Sequence, residues 1–157
     1  MKRLLSTTFA VGLLWLGVFS GTAHAQSRLY DRIFDRADIN NNGFLTMTEF
    51  MGTQSGSVRW TDAAFRFKAN DFDENGFLDK LEFRGSRGGA DGGKPTKAET
   101  FLLADLDKSG FLDPSEYALT QPQSFKARQT LRNFDLRDTD DSGLLSPREF
   151  GGRLIGI

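Results

Sequence analysis

The chain has 157 residues, 38% hydrophobic and 26% charged, the balance of an ordinary globular protein of one domain or two small lobes. It contains no cysteine, which excludes disulfides, cysteine nucleophiles and thiolate metal sites. Its formal charge is −1, and its one histidine is His24.

Residues 1–25 read as a secretory leader. The basic start MKR precedes an apolar run from Phe9 to Phe19, too short to span a bilayer comfortably. Ala23 and Ala25 then form a small-residue cleavage pattern, and cleavage there makes Gln26 the first mature residue. The alternatives are an uncleaved anchor or a core helix. No later stretch is apolar enough to cross a membrane, so the sequence predicts a periplasmic or secreted protein. Loss of Lys2 and Arg3 leaves 18 basic against 21 acidic side chains, a net charge of −3. Loss of His24 leaves no histidine or cysteine for zinc or copper, and no acyl-transfer base or nucleophile pair. An enzyme is not expected. Nor is nucleic-acid binding, since no basic stripe carries interleaved aromatics.

The rest of the chain is a repeat. FDRADINNNGFLTMTEF, FKANDFDENGFLDKLEF, FLLADLDKSGFLDPSEY and FDLRDTDDSGLLSPREF begin at Phe34, Phe67, Phe101 and Phe134 and align without gaps. In the first, Ser27 is placed to cap an entering helix, and Phe34 lies on its inner face. Asp38, Asn40 and Asn42 then alternate before Gly43. Phe44 offers a backbone carbonyl, Leu45 is apolar, and Glu49 stands twelfth. Thr46 with Glu49 forms a capping box. The second repeat supplies Asp71, Asp73 and Asn75, then Gly76, Phe77, Leu78, Asp79 and Glu82. Gly85 follows soon after Phe83 and reads as a helix end, as do Gly52 and Gly151 in their repeats.

GSRGGADGGKP, residues 85–95, reads as a flexible linker. Thr96 and Glu99 make a capping box for the third entering helix. The third repeat supplies Asp105, Asp107, Ser109, Phe111, Asp113 and Glu116, around Gly110 and Leu112. Its exit is expected to run longer than the others and stop before Pro122. The fourth supplies Asp138, Asp140, Ser142, Leu144, Ser146 and Glu149, around Gly143 and Leu145, with Pro147 suited to a first helical position.

Each glycine suits a turn with positive φ. Alternate polar side chains before it can curl around one centre, the following carbonyl adds an oxygen, and the last glutamate can offer two. Six or seven such oxygens suit a hard, flexible cation. These segments resemble EF-hand calcium loops, the helix–loop–helix family of calmodulin and its relatives, over nearly all of residues 30–150. The resemblance implies an all-α fold of four helix–loop–helix units in two paired lobes. Residues 26–84 form one pair, 85–95 the linker and 96–157 the other, with a short β-bridge joining Leu45 to Leu78 and Leu112 to Leu145.

It implies up to four Ca²⁺ ions and the function of an exported calcium buffer or sensor. Carboxylate count favours loops two and three, with four each, over loop four with three and loop one with two. A calmodulin-like target grip is in question, because only Met47 and Met51 remain after cleavage. An alternative is a structural or interaction module stabilised by calcium. A lanthanide binder is a further one, although the lanmodulin family carries proline second in each loop and this chain has Ile39, Phe72, Leu106 and Thr139. Four bound Ca²⁺ would move the net charge from −3 to +5, which allows an anionic partner beside a protein one.

Overall fold

Short apolar stretches, interrupted every 33 or 34 residues by polar turns, can build only short helices that must share a core. A computed structural model describes residues 20–87 and 93–151 of the chain. The described residues form eight helices: α1 (Ser20–Ala37), α2 (Met47–Gly52), α3 (Trp60–Asn70), α4 (Lys80–Arg87), α5 (Lys97–Ala104), α6 (Pro114–Leu119), α7 (Ala127–Asp135) and α8 (Pro147–Gly151). They pair as helix–loop–helix units, and consecutive units pair into lobes, α1–α4 and α5–α8. The apolar leader and residues 88–92 of the predicted linker lie outside the described residues.

Each lobe has one core. Phe34, Phe50, Phe67 and Phe83 gather with Leu45, Ala63 and Leu78 in the first. Phe101, Tyr117 and Phe134 gather with Ala104, Leu112 and Leu145 in the second. The rings meet edge-on, Phe50 with Phe67 at 5.6 Å and Tyr117 with Phe134 at 5.7 Å between centroids. Such packing adds about 0.5–1.5 kcal/mol per pair beyond the area buried. The phenylalanine opening each repeat and the eighth-position leucine within each loop are thus core residues.

Within each lobe one antiparallel bridge joins the two loops. The amides and carbonyls of Leu45 and Leu78 exchange hydrogen bonds, as do those of Leu112 and Leu145. All four side chains are fully buried. A third bridge crosses between lobes. Arg59 pairs with Pro122, and close by the Ser124 amide donates to the Gly56 carbonyl at 2.8 Å. Helices α3 and α5 pack beside it, so the lobes are docked rather than merely tethered.

Three local expectations give way. Ser27 lies inside α1, which starts at Ser20: upstream leader residues supply the preceding turn, so no cap is needed there. Helix α4 continues through Gly85 to Arg87. There the absent Cβ admits Asn70, whose Oδ1 would stand 3.3 Å from a built Cβ, so the glycine serves helix packing rather than termination. The third exit, α6, has six residues, the same as α2. It stops at Leu119 because the Thr120 hydroxyl turns back to the Tyr117 carbonyl at 2.7 Å.

Candidate metal centres

The four loops, residues 38–49, 71–82, 105–116 and 138–149, share one hydrogen-bond plan. The first aspartate accepts the amides of the fifth and sixth residues. Asp71 takes Asn75 at 3.0 Å and Gly76 at 2.9 Å, and Asp38, Asp105 and Asp138 do the same in their loops. The third residue (Asn40, Asp73, Asp107 or Asp140) also accepts the fifth amide. The fifth residue then accepts the seventh amide, as Asn42 does from Phe44 and Asn75 from Phe77. Backbone donors thereby hold the polar side chains inside each turn.

The curl requires two left-handed residues per loop. The glycines Gly43, Gly76, Gly110 and Gly143 have φ between 77 and 83°. The fourth residues, Asn41, Glu74, Lys108 and Asp141, have φ between 54 and 58°. The repeat signals the glycines. Asn41 and Asp141 belong to residue types that tolerate this region, whereas Glu74 and Lys108 carry no such mark.

The twelfth glutamate closes each loop. Glu82 Oε1 accepts the Phe72 amide at 2.9 Å, and its Oε2 accepts the Asp79 amide at 3.0 Å. Glu49, Glu116 and Glu149 repeat this with Ile39 and Thr46, Leu106 and Asp113, and Thr139 and Ser146. The capping boxes at Thr46 and Asp113 are therefore also the ends of loops.

The ninth residue differs among repeats. In loops one and four the hydroxyls of Thr46 and Ser146 donate to the glutamate at 2.8 and 2.7 Å. In loops two and three Asp79 and Asp113 cannot donate; they accept helix amides instead. The Ser146 hydroxyl and amide, with Thr139, lower the Glu149 carboxyl to about 2. The Thr46 amide and hydroxyl lower Glu49, and hydrogen bonding by Ser109 lowers Asp107. Each of these three carboxylates is held ionised.

Three clusters result. Asp71, Asp73 and Glu82 bring one oxygen each to within 4.8 Å of the others, as do Asp105, Asp107 and Glu116, and Asp138, Asp140 and Glu149. Loop one does not form such a trio, because its third residue is Asn40. Ion pairs among the described residues run from Arg59 to Asp62, Lys80 to Asp35 and Arg84 to Asp31, and reach none of these clusters. Three close carboxylates without a neighbouring cation repel one another, a deficit that a divalent ion would remove. The donors are all oxygens, which fits a hard cation such as Ca²⁺.

A family model described as EF hand matches residues 29–52 and 96–118, the first and third repeats. Those two repeats are thus similar to the EF-hand family over less than half of the chain. Among solved structures, caltubin from the great pond snail is 20% identical, with 80% of this chain and 93% of that one aligned at a TM-score of 0.37. A homologue of programmed cell death 6 protein from Leishmania major Friedlin is 16% identical, covering 77% and 68% at 0.35. A redox protein from Chlamydomonas reinhardtii is 20% identical, covering 85% and 49% at 0.35. No curated protein matches the chain.

The seventh loop residues face outward, and the Phe44 and Phe77 rings meet at a tilt, 6.2 Å between centroids, across the first loop pair. In hands three and four the Ser109 and Ser142 hydroxyls donate to the seventh carbonyls, Phe111 at 3.1 Å and Leu144 at 3.0 Å. No helix among the described residues is long and apolar enough to cross a membrane.

Proposed function

We propose that this protein binds up to four Ca²⁺ ions and acts outside the cytosol as a calcium buffer or sensor. Asp38, Asn40, Asn42, Phe44 and Glu49 would hold the first ion. Asp71, Asp73, Asn75, Phe77 and Glu82 would hold the second, and Asp105, Asp107, Ser109, Phe111 and Glu116 the third. The fourth would rest on Asp138, Asp140, Ser142, Leu144 and Glu149. The observation that carries this reading is the gathering of three carboxylates around one point in loops two, three and four, with no cation among the described residues paired to them.

The leader pattern supports export to the periplasm or beyond, where calcium modules work with dissociation constants of about 10⁻⁴–10⁻³ M. Calorimetric titration of residues 26–157 with Ca²⁺, Mg²⁺ and a lanthanide tests the function. Saturable calcium uptake at more than two sites supports it, and no heat and no spectral change after chelator dialysis refutes it.

Docked lobes favour a second reading, in which bound calcium chiefly stabilises a fixed interaction module. Dye binding separates the two: a sensor exposes apolar surface when calcium is added, and a module does not.

A further inference from the structure

Where an internal repeat departs from itself, the odd residue needs its own explanation. The aromatic after the last loop residue is Phe50, Phe83, Tyr117 and Phe150 in the four hands, so only the third bears a hydroxyl. The residue just before each loop is Ala37, Asn70, Ala104 and Arg137, so only the fourth bears a charge. The two odd residues meet. Arg137 Nε donates to the Tyr117 hydroxyl at 3.2 Å.

They line a cavity of about 140 Å³ at the junction of the lobes, with Arg59, Lys97, Thr100 and Gln121. Arg59 comes from the first lobe, placed by its bridge to Pro122. Lys97 opens α5, and Arg137 follows α7. Three cations thus enter one small cavity, and no carboxylate of the described residues lines it.

Their charges are poorly matched. Arg59 is paired with Asp62 at 2.9 Å. Lys97 and Arg137 reach only neutral oxygens among the described residues: the Gly151 carbonyl at 3.3 Å, the Phe150 carbonyl at 3.0 Å and the Tyr117 hydroxyl. Tyr117 is 1% exposed, and its own proton has no acceptor among the described residues. A buried phenol normally finds one.

We propose that this interlobe cavity binds one small tetrahedral oxyanion of the sulfate or phosphate class. Arg59, Lys97 and Arg137 supply charge, and the Tyr117 hydroxyl donates to the anion while accepting from Arg137. The volume admits one such group. Because Arg59 belongs to one lobe and the rest to the other, the anion pins the lobes together.

The test is amide NMR of the calcium-loaded full chain, titrated with sodium sulfate at constant ionic strength made up with chloride. Saturable shifts are expected at Lys97, Tyr117 and Gln121, while the Gly76 and Gly110 signals, which report calcium in the loops, stay fixed. Tyr117→Phe keeps the ring and core, and Lys97→Gln alters an exposed side chain; each is expected to weaken sulfate binding about tenfold. Shifts that do not saturate, shifts equal in wild type and both variants, or tighter binding of succinate than of sulfate would overturn the proposal. Failure to take up calcium shows instead in the loop glycines, so the two readings fail separately.

Discussion

Leu45 and Leu78 exchange two backbone hydrogen bonds, of 2.8 and 2.9 Å, and neither side chain is exposed to solvent. Each follows the seventh residue of its loop, so the bridge links the two candidate sites through a few backbone atoms. An ion that fixes loop two also fixes the strand position of loop one. Leu78→Ala is expected to lower stability by about 2–5 kcal/mol through the cavity it leaves. It should also reduce cooperativity between the first two calcium-binding events. Urea unfolding reads the first effect and calorimetry the second; unchanged cooperativity in a folded variant would contradict the coupling.

The loops are unequal in charge. Loop two gathers three carboxylates around its centre and loop one does not, because Asn40 replaces an aspartate there. The Thr46 hydroxyl also occupies Glu49, whereas Asp79 leaves that part of Glu82 open. Glu82→Gln is therefore expected to cost more calcium affinity than Glu49→Gln, by at least about tenfold. Equal losses in parallel titrations would refute the ranking.

Backbone conformation makes a sharper contrast. Gly76 has φ of +82° and open space around it, so only the conformation opposes a side chain. Gly76→Ala is expected to destabilise the calcium-free protein by about 1–2 kcal/mol. Gly52 closes α2 without a positive φ and with nothing near its missing Cβ. Gly52→Ala is expected to stabilise it by up to about 1 kcal/mol. Urea midpoints moving in opposite directions would bear this out; a shared direction would not.

These cases also show what sequence can carry. A strict repeat exposes residues that every copy needs, such as Gly43, Leu45 and Glu49, and so the loops, the helices and their inner faces were readable. Contacts made once are invisible to it. Nothing in GSVRW announces that Gly56 receives a hydrogen bond from Ser124, or that Arg59 reaches the other lobe. Gly85 looks like a terminator by type and is a packing device by position, because Asn70 lies beside it. The left-handed fourth residues escaped for a different reason: Glu74 and Lys108 have no intrinsic taste for that conformation, and the surrounding hydrogen bonds impose it.

Glu149 offers a test that needs no metal. It accepts the Ser146 hydroxyl at 2.7 Å, the Ser146 amide at 2.9 Å, and both the amide and hydroxyl of Thr139 at 2.9 Å. These donors favour the ionised form and hold the carboxyl at about 2, below its ordinary 4.5. A lowered folded value means that the loop closure contributes fully above pH 4.5 and is lost as pH falls toward 2. In the calcium-free protein the Glu149 carboxyl carbon is expected to titrate near 2 by NMR. Ser146→Ala removes the largest contribution and is expected to move the midpoint up toward 4.5. A wild-type midpoint already at 4.5 would mean that loop four is not closed by its glutamate before the ion arrives.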